Sequence, residues 1–109
     1  MTRLTAEFWV HAYLARLRLA DIPAFVTSKG DATAGAVLVK LNTLDGRGQV
    51  WQRSFDLDGN RLWVVLEDGN EAEVDAAIAR QRGFDPDLWV IEVEDRQGRT
   101  LLDEDGLRD

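Results

Sequence analysis

The stretch GNEAEVDAAIARQRGFDPDLWVIEVED, Gly69–Asp95, changes its hydrophobic period part-way along. Up to Gly83, Val74, Ala77 and Ile78 recur at helical spacing. Asn70 is placed to cap this helix and Glu73, three residues on, completes a capping box. Arg80 and Arg82 suit the negative end of its dipole, and Gly83 is expected to supply the left-handed residue that ends it. From Leu88 the pattern becomes that of a strand, LWVIEVED. Leu88, Val90, Glu92 and Glu94 share one face; Trp89, Ile91, Val93 and Asp95 share the other. A helix that hands over to one strand, after a long run of strands, fixes the fold class.

That run lies upstream. PAFVTSK is bounded by Pro23 and Gly30, and GAVLVKLNTL sets Val37, Val39 and Leu41 against Ala36, Leu38 and Lys40. QVWQRSFDL and NRLWVVLED follow, separated by the turn signals at Asp45–Gly48 and Asp58–Gly59. The first element, TAEFWVHAYLARLRLAD, reads as a helix capped by Thr5, with Pro23 stopping it. Beyond Asp95, RQGR reads as a turn, TLL as a short return strand, and residues 103–109 as a frayed tail. The expectation is one α+β domain over residues 1–109, in the order α-β-β-β-β-α-β. Its sheet is an antiparallel, meander-like one of four to five strands, with both helices on one face.

The first helix is apolar on two arcs. One holds Leu4, Phe8, Ala12, Ala15 and Leu19; the other holds Ala6, Trp9, Val10, Tyr13, Leu17 and Ala20. A helix apolar nearly all round is buried or covered by a partner. One arc is therefore expected to pack on the sheet and the other to meet a second subunit. Trp9, Tyr13 and Leu17 are the interface candidates, since tryptophan is enriched at binding hot spots.

Composition narrows the function classes. The 109 residues carry a net charge of −7, and the last 25 hold nine acids against three arginines. With no basic stripe, neither nucleic acid nor an anionic membrane is an expected partner. A homodimer or another protein partner is. Cysteine is absent, which removes disulfides, thiolate metal sites and a cysteine nucleophile. One histidine, His11, cannot build a multi-histidine zinc site, and no serine or cysteine nucleophile is placed beside it by sequence. There is no signal-peptide pattern and no apolar run of bilayer length, so the cytoplasm is the expected compartment. No cofactor is expected.

Two segments carry speculative ligand-binding residues. SKGDATAG, Ser28–Gly35, has the glycines and the lysine of a phosphate cradle, but it feeds a strand and lacks the Gly-Lys-Ser/Thr ending. Its Lys29 and Asp31 can contact a small anion or a partner. Asp85 and Asp87 flank Pro86 and can offer oxygens to a hard cation. The competing reading, a turn former ahead of the strand, explains them without chemistry. Asp87 and Glu94 lie roughly 23 Å apart on an extended strand, too far to share a metal.

Three phrases, AEFWVHAYLARL (6–17), GDATAGAVLVKLNTLDG (30–46) and GFDPDLWVIEVEDRQGR (83–99), resemble in this order a family of short bacterial proteins, domain of unknown function 1491. Between Trp51 and Arg61 the chain is shorter than that pattern, which carries an additional charged stretch. The resemblance implies a single bacterial domain and no activity, substrate or cofactor. The leading expectation is thus a small non-enzymatic interaction or ligand-binding domain, homodimeric through its first helix. The alternative is a carboxylate-dependent enzyme, or an anion- or metal-binding protein, using the Ser28–Gly35 loop with Asp85 and Asp87.

Overall fold

The computed structural model describes residues 4–107. The elements follow the expected order: α1 (Ala6–Leu19), β1 (Ala24–Ser28), β2 (Val37–Asn42), β3 (Arg47–Phe55), β4 (Arg61–Asn70), α2 (Glu71–Phe84) and β5 (Trp89–Glu94). The fold is α+β. Thr5 caps α1, its hydroxyl accepting from the Phe8 amide, and Asn70 and Glu73 form the full capping box of α2. Gly83 lies inside α2, which runs to Phe84 and is capped by Asp85 in extended conformation. No helix among the described residues is long and apolar enough to cross a membrane.

The sheet is not a simple meander. Its order is β1-β5-β2-β3-β4. Strands β2, β3 and β4 do form an antiparallel meander, but β5 returns across the sheet, inserts between β1 and β2, and runs parallel to β2. A parallel neighbour requires a crossover, and α2 supplies it. Nor do the helices share a face. α1 packs with Val39, Leu41, Ile91 and Val93, while α2 packs with Leu38, Val50 and Val90. Consecutive strand residues point to opposite faces, so the sheet is covered by one helix on each side. The physical reason lies in β2 and β5. β2 is buried on both faces from Leu38 to Asn42 and β5 from Trp89 to Ile91, the mark of a strand covered from two sides.

The arc of α1 that holds the interface candidates is the one that packs on the sheet. Trp9, Tyr13 and Leu17 belong to the chain's own core, with Tyr13 and Leu17 fully buried. Trp9 stacks on Tyr13 at 4.9 Å and packs at 5.4 Å from Trp63. The Tyr13 hydroxyl donates to the Thr100 carbonyl at 2.8 Å, and burial holds it well above the ordinary phenol range. This arc carries the larger aromatic area, so its burial removes more apolar surface from water. What remains outside is Leu4, Phe8, Ala15 and Leu19.

The C-terminal segment also differs from expectation. Thr100–Leu102 forms no strand, and residues 103–107 are docked and not frayed. Leu102 and Leu107 are buried in the core. The Leu107 carbonyl accepts from Trp63 Nε1 at 3.2 Å and Arg53 Nη2 at 3.4 Å, while the Arg53 guanidinium lies over the rings of Trp63 and Trp9. Arg16 of α1 holds the Asp105 carbonyl at 2.9 Å. Residues 108 and 109 lie outside the described range.

Candidate functional site

The Ser28–Gly35 loop and the Asp85–Asp87 turn do meet, through backbone atoms. The Asp31 amide donates to the Asp87 carbonyl at 2.9 Å, and Trp89 Nε1 donates to the Asp31 carbonyl at 2.8 Å. The same loop turns its Ala32 and Thr33 carbonyls onto the first amides of α1, at 2.9 Å to Glu7 and 3.1 Å to Ala6. Those amides are the orphan donors that make a helix start attractive to anions; here the protein satisfies two of them itself. The carboxylates work locally too. Asp31 Oδ2 accepts from the Thr33 and Ala34 amides, and Asp85 Oδ1 from the Asp87 amide. Lys29 and Asp87 are exposed. The four candidates thus flank a backbone clasp that ties β1, β5 and the start of α1 together.

A different polar cluster sits on the α2 side of the sheet, and sequence reasoning missed it. Lys40, in the middle of β2, is buried. Its ammonium donates to Glu71 at 2.9 Å and Asp75 at 2.8 Å, both on α2, and lies 3.5 Å from Glu92 on β5. A lysine has three donors and no acceptor, and here each donor faces a carboxylate. Asn42 joins by donating to Glu71 and Glu92 at 3.3 Å. Burial by itself would lower the Lys40 pKa, but the hydrogen bonds to Asp75 and Glu71 and the nearby Glu92 charge raise it above the ordinary lysine value. The ammonium occupies the cationic position of the cluster, and no group of three or more His, Asp or Glu among the described residues is arranged to hold a metal. Beside it an open depression of about 380 Å³ reaches from Thr27 and Ser28 to Arg82, with Ile78 and Val90 below. The sequence signal was present. Lys40 shares its face with Leu38, Glu92 shares its face with Val90, and Glu71 and Asp75 stand one helical turn apart.

The third feature is the outward face of α1. Leu4, Phe8 and Leu19 are 56%, 59% and 85% exposed. Leu4 precedes the Thr5 cap, and Phe8 and Leu19 bound a stripe about 16 Å long on the helix, from the helical rise.

The family model described as "Protein of unknown function (DUF1491)" matches residues 4–103. The chain belongs to the DUF1491 family. A crystal structure of a DUF1491 family protein from Caulobacter crescentus CB15 is 39% identical over 94% of this chain and 97% of that one, with a TM-score of 0.85. An NMR structure of a DUF1491 family protein from the same organism gives 39% identity, 95% and 96% coverage, and a TM-score of 0.82. The solution structure of protein Atu0922 from A. tumefaciens is 31% identical over 85% of this chain and 86% of that one, with a TM-score of 0.73. No curated protein matches the chain. The fold and the kinship with bacterial DUF1491 proteins are therefore established.

Proposed function

We propose that this DUF1491 domain is a non-enzymatic interaction module of the cytoplasm, homodimeric through the outward arc of α1. The observation that carries the reading is the exposed apolar stripe of Phe8 and Leu19, with Leu4 exposed just ahead of the Thr5 cap, on a helix whose opposite face is already closed into the core. Contiguous exposed apolar surface rimmed by polar residues marks association surfaces. The helix is also held rigidly for such work, capped at its start by Thr5 and the clasp, and tied at Arg16 to the C-terminal segment.

Phe8→Glu is the direct test. It is expected to weaken self-association at least about 100-fold, because two charges enter an apolar contact. The melting temperature should barely move, since the residue lies outside the core. Analytical ultracentrifugation and a circular dichroism melt read the two effects. An assembly state insensitive to this substitution would sink the reading.

The rival is a carboxylate-dependent enzyme, or an anion- or metal-binding protein, at the clasp. It draws its support from the approach of the Ser28–Gly35 loop to Asp85 and Asp87. It predicts that divalent cations raise the melting temperature and that Asp87→Asn abolishes the rise. The engagement of Asp31 and Asp85 with their own turn amides weighs against it.

A further inference from the structure

Resting on the interaction-module reading, we infer that the partner on α1 is a second copy of the same helix, bound antiparallel about a two-fold axis between Tyr13 and Leu14. The argument begins with size and spacing along the stripe. Its centre is small, Ala12 and Ala15, and its ends are large, Phe8 and Leu19. The midpoint of Ala12 and Ala15 is also the midpoint of Phe8 and Leu19. An antiparallel copy centred there sets Ala12 against the partner helix's Ala15, and Phe8 against its Leu19. Small residues at the crossing point let the axes approach to about 8 Å, and each large side chain then covers the other at the rims. A two-fold contact of this kind uses one patch twice, so the patch must complement itself. This one does.

Charge supplies the second argument. Glu7, His11 and Arg18 flank the stripe on one side, as the helical wheel places them. Neither Glu7 nor Arg18 forms an ion pair with a described residue of its own chain. In the antiparallel arrangement Glu7 of one copy stands within about 3 Å, along the axis, of Arg18 of the other. The two-fold axis makes this pair twice. A parallel two-fold would instead set this flank against the opposite one, Thr5 and Arg16, so that Glu7 and Arg18 do not meet, and would align the helix dipoles unfavourably. The contact is a single helix pair, below the roughly 1,000 Å² of a robust interface. The dimer should therefore be weak, with a dissociation constant on the order of 1–100 μM.

Sedimentation equilibrium on the full chain tests this with Glu7→Arg, Arg18→Glu and the double reversal. Each single reversal is expected to raise the dissociation constant about tenfold, as two pairs of opposite charge become pairs of like charge. The double reversal should return it to within about threefold of the starting value, because both pairs are restored with their signs exchanged. Reversal also disturbs the helix dipole, so Glu7→Gln and Arg18→Gln serve as milder variants, expected to weaken the dimer about threefold each. A dimer broken by Phe8→Glu but indifferent to all the charge changes would overturn the antiparallel arrangement and leave the interaction face standing. A dimer indifferent to Phe8→Glu, or a chain still monomeric at about 1 mM, would overturn both.

Discussion

Gly30→Val is expected to cost about 4 kcal/mol or more, a large share of the roughly 5–15 kcal/mol that holds a domain of this size together. A Cβ at Gly30 would collide with the Asp87 carbonyl oxygen and stand 2.6 Å from Trp89 Cδ1 and 2.7 Å from the Trp89 amide. None of these atoms is free to retreat. The Asp87 carbonyl receives the Asp31 amide, the Trp89 amide is bound to the Ala36 carbonyl at 2.8 Å, and the indole, almost wholly buried, donates to the Asp31 carbonyl. Gly35 is crowded by the same Asp87 carbonyl at 2.6 Å. The loop that resembles a phosphate cradle thus needs its glycines for close backbone contact. Gly83→Ala gives the contrasting result. Nothing lies within 4 Å of its Cβ position, and the residue is helical. That substitution is expected to stabilise by up to about 1 kcal/mol. Urea titration of the three proteins checks both signs; a Gly30→Val midpoint equal to the parent's would refute the clasp.

The same clasp shows where the sequence could be read and where it could not. Thr5, Asn70 with Glu73, and the turns at Gly46 and Gly59 are local signals, and each does in the structure what its chemistry indicates. The acids of DPDLWVIEVED divide along similar lines. Asp85 is a turn former, and Asp95 accepts from the Arg99 side chain and amide, which hold its pKa low. Glu92 instead faces the buried Lys40 ammonium. Recognising that required knowing that β5 lies beside β2 with Glu92 opposite Lys40, a pairing across 52 positions of chain that no local pattern encodes. The placement of α1 was undecidable for a related reason. Both of its arcs are apolar, and the choice between them depends on the cavity that Trp63, Thr100 and Leu107 build from the far end of the chain.

Lys40→Met should lower stability by about 2–4 kcal/mol at neutral pH, because it removes the cation from among three carboxylates. The loss falls unequally on them. The side chains of Glu71 and Asp75 are 43% and 57% exposed and can turn to water, whereas Glu92 is only 16% exposed and cannot. Adding Glu92→Gln to Lys40→Met should therefore recover a large part of the loss, as happens when a buried pair is replaced whole rather than broken. If the double variant recovers nothing, the cost lies in the lysine's packed stem and not in its charge. The pH dependence separates the two further. A lysine whose pKa is raised in the folded state contributes stability that is fully present below about 10.5 and is lost as pH rises through its higher folded value. The gap between parent and Lys40→Met should narrow in this alkaline window, as Lys40 loses its proton. At the other extreme Asp95, with its lowered pKa, contributes stability above the ordinary carboxylate value that is lost as pH falls through its folded one. Lys40 lies on the face of the sheet opposite α1. A change of stability at Lys40 without a change in self-association would therefore locate the ion cluster in the scaffold and the working surface on the helix.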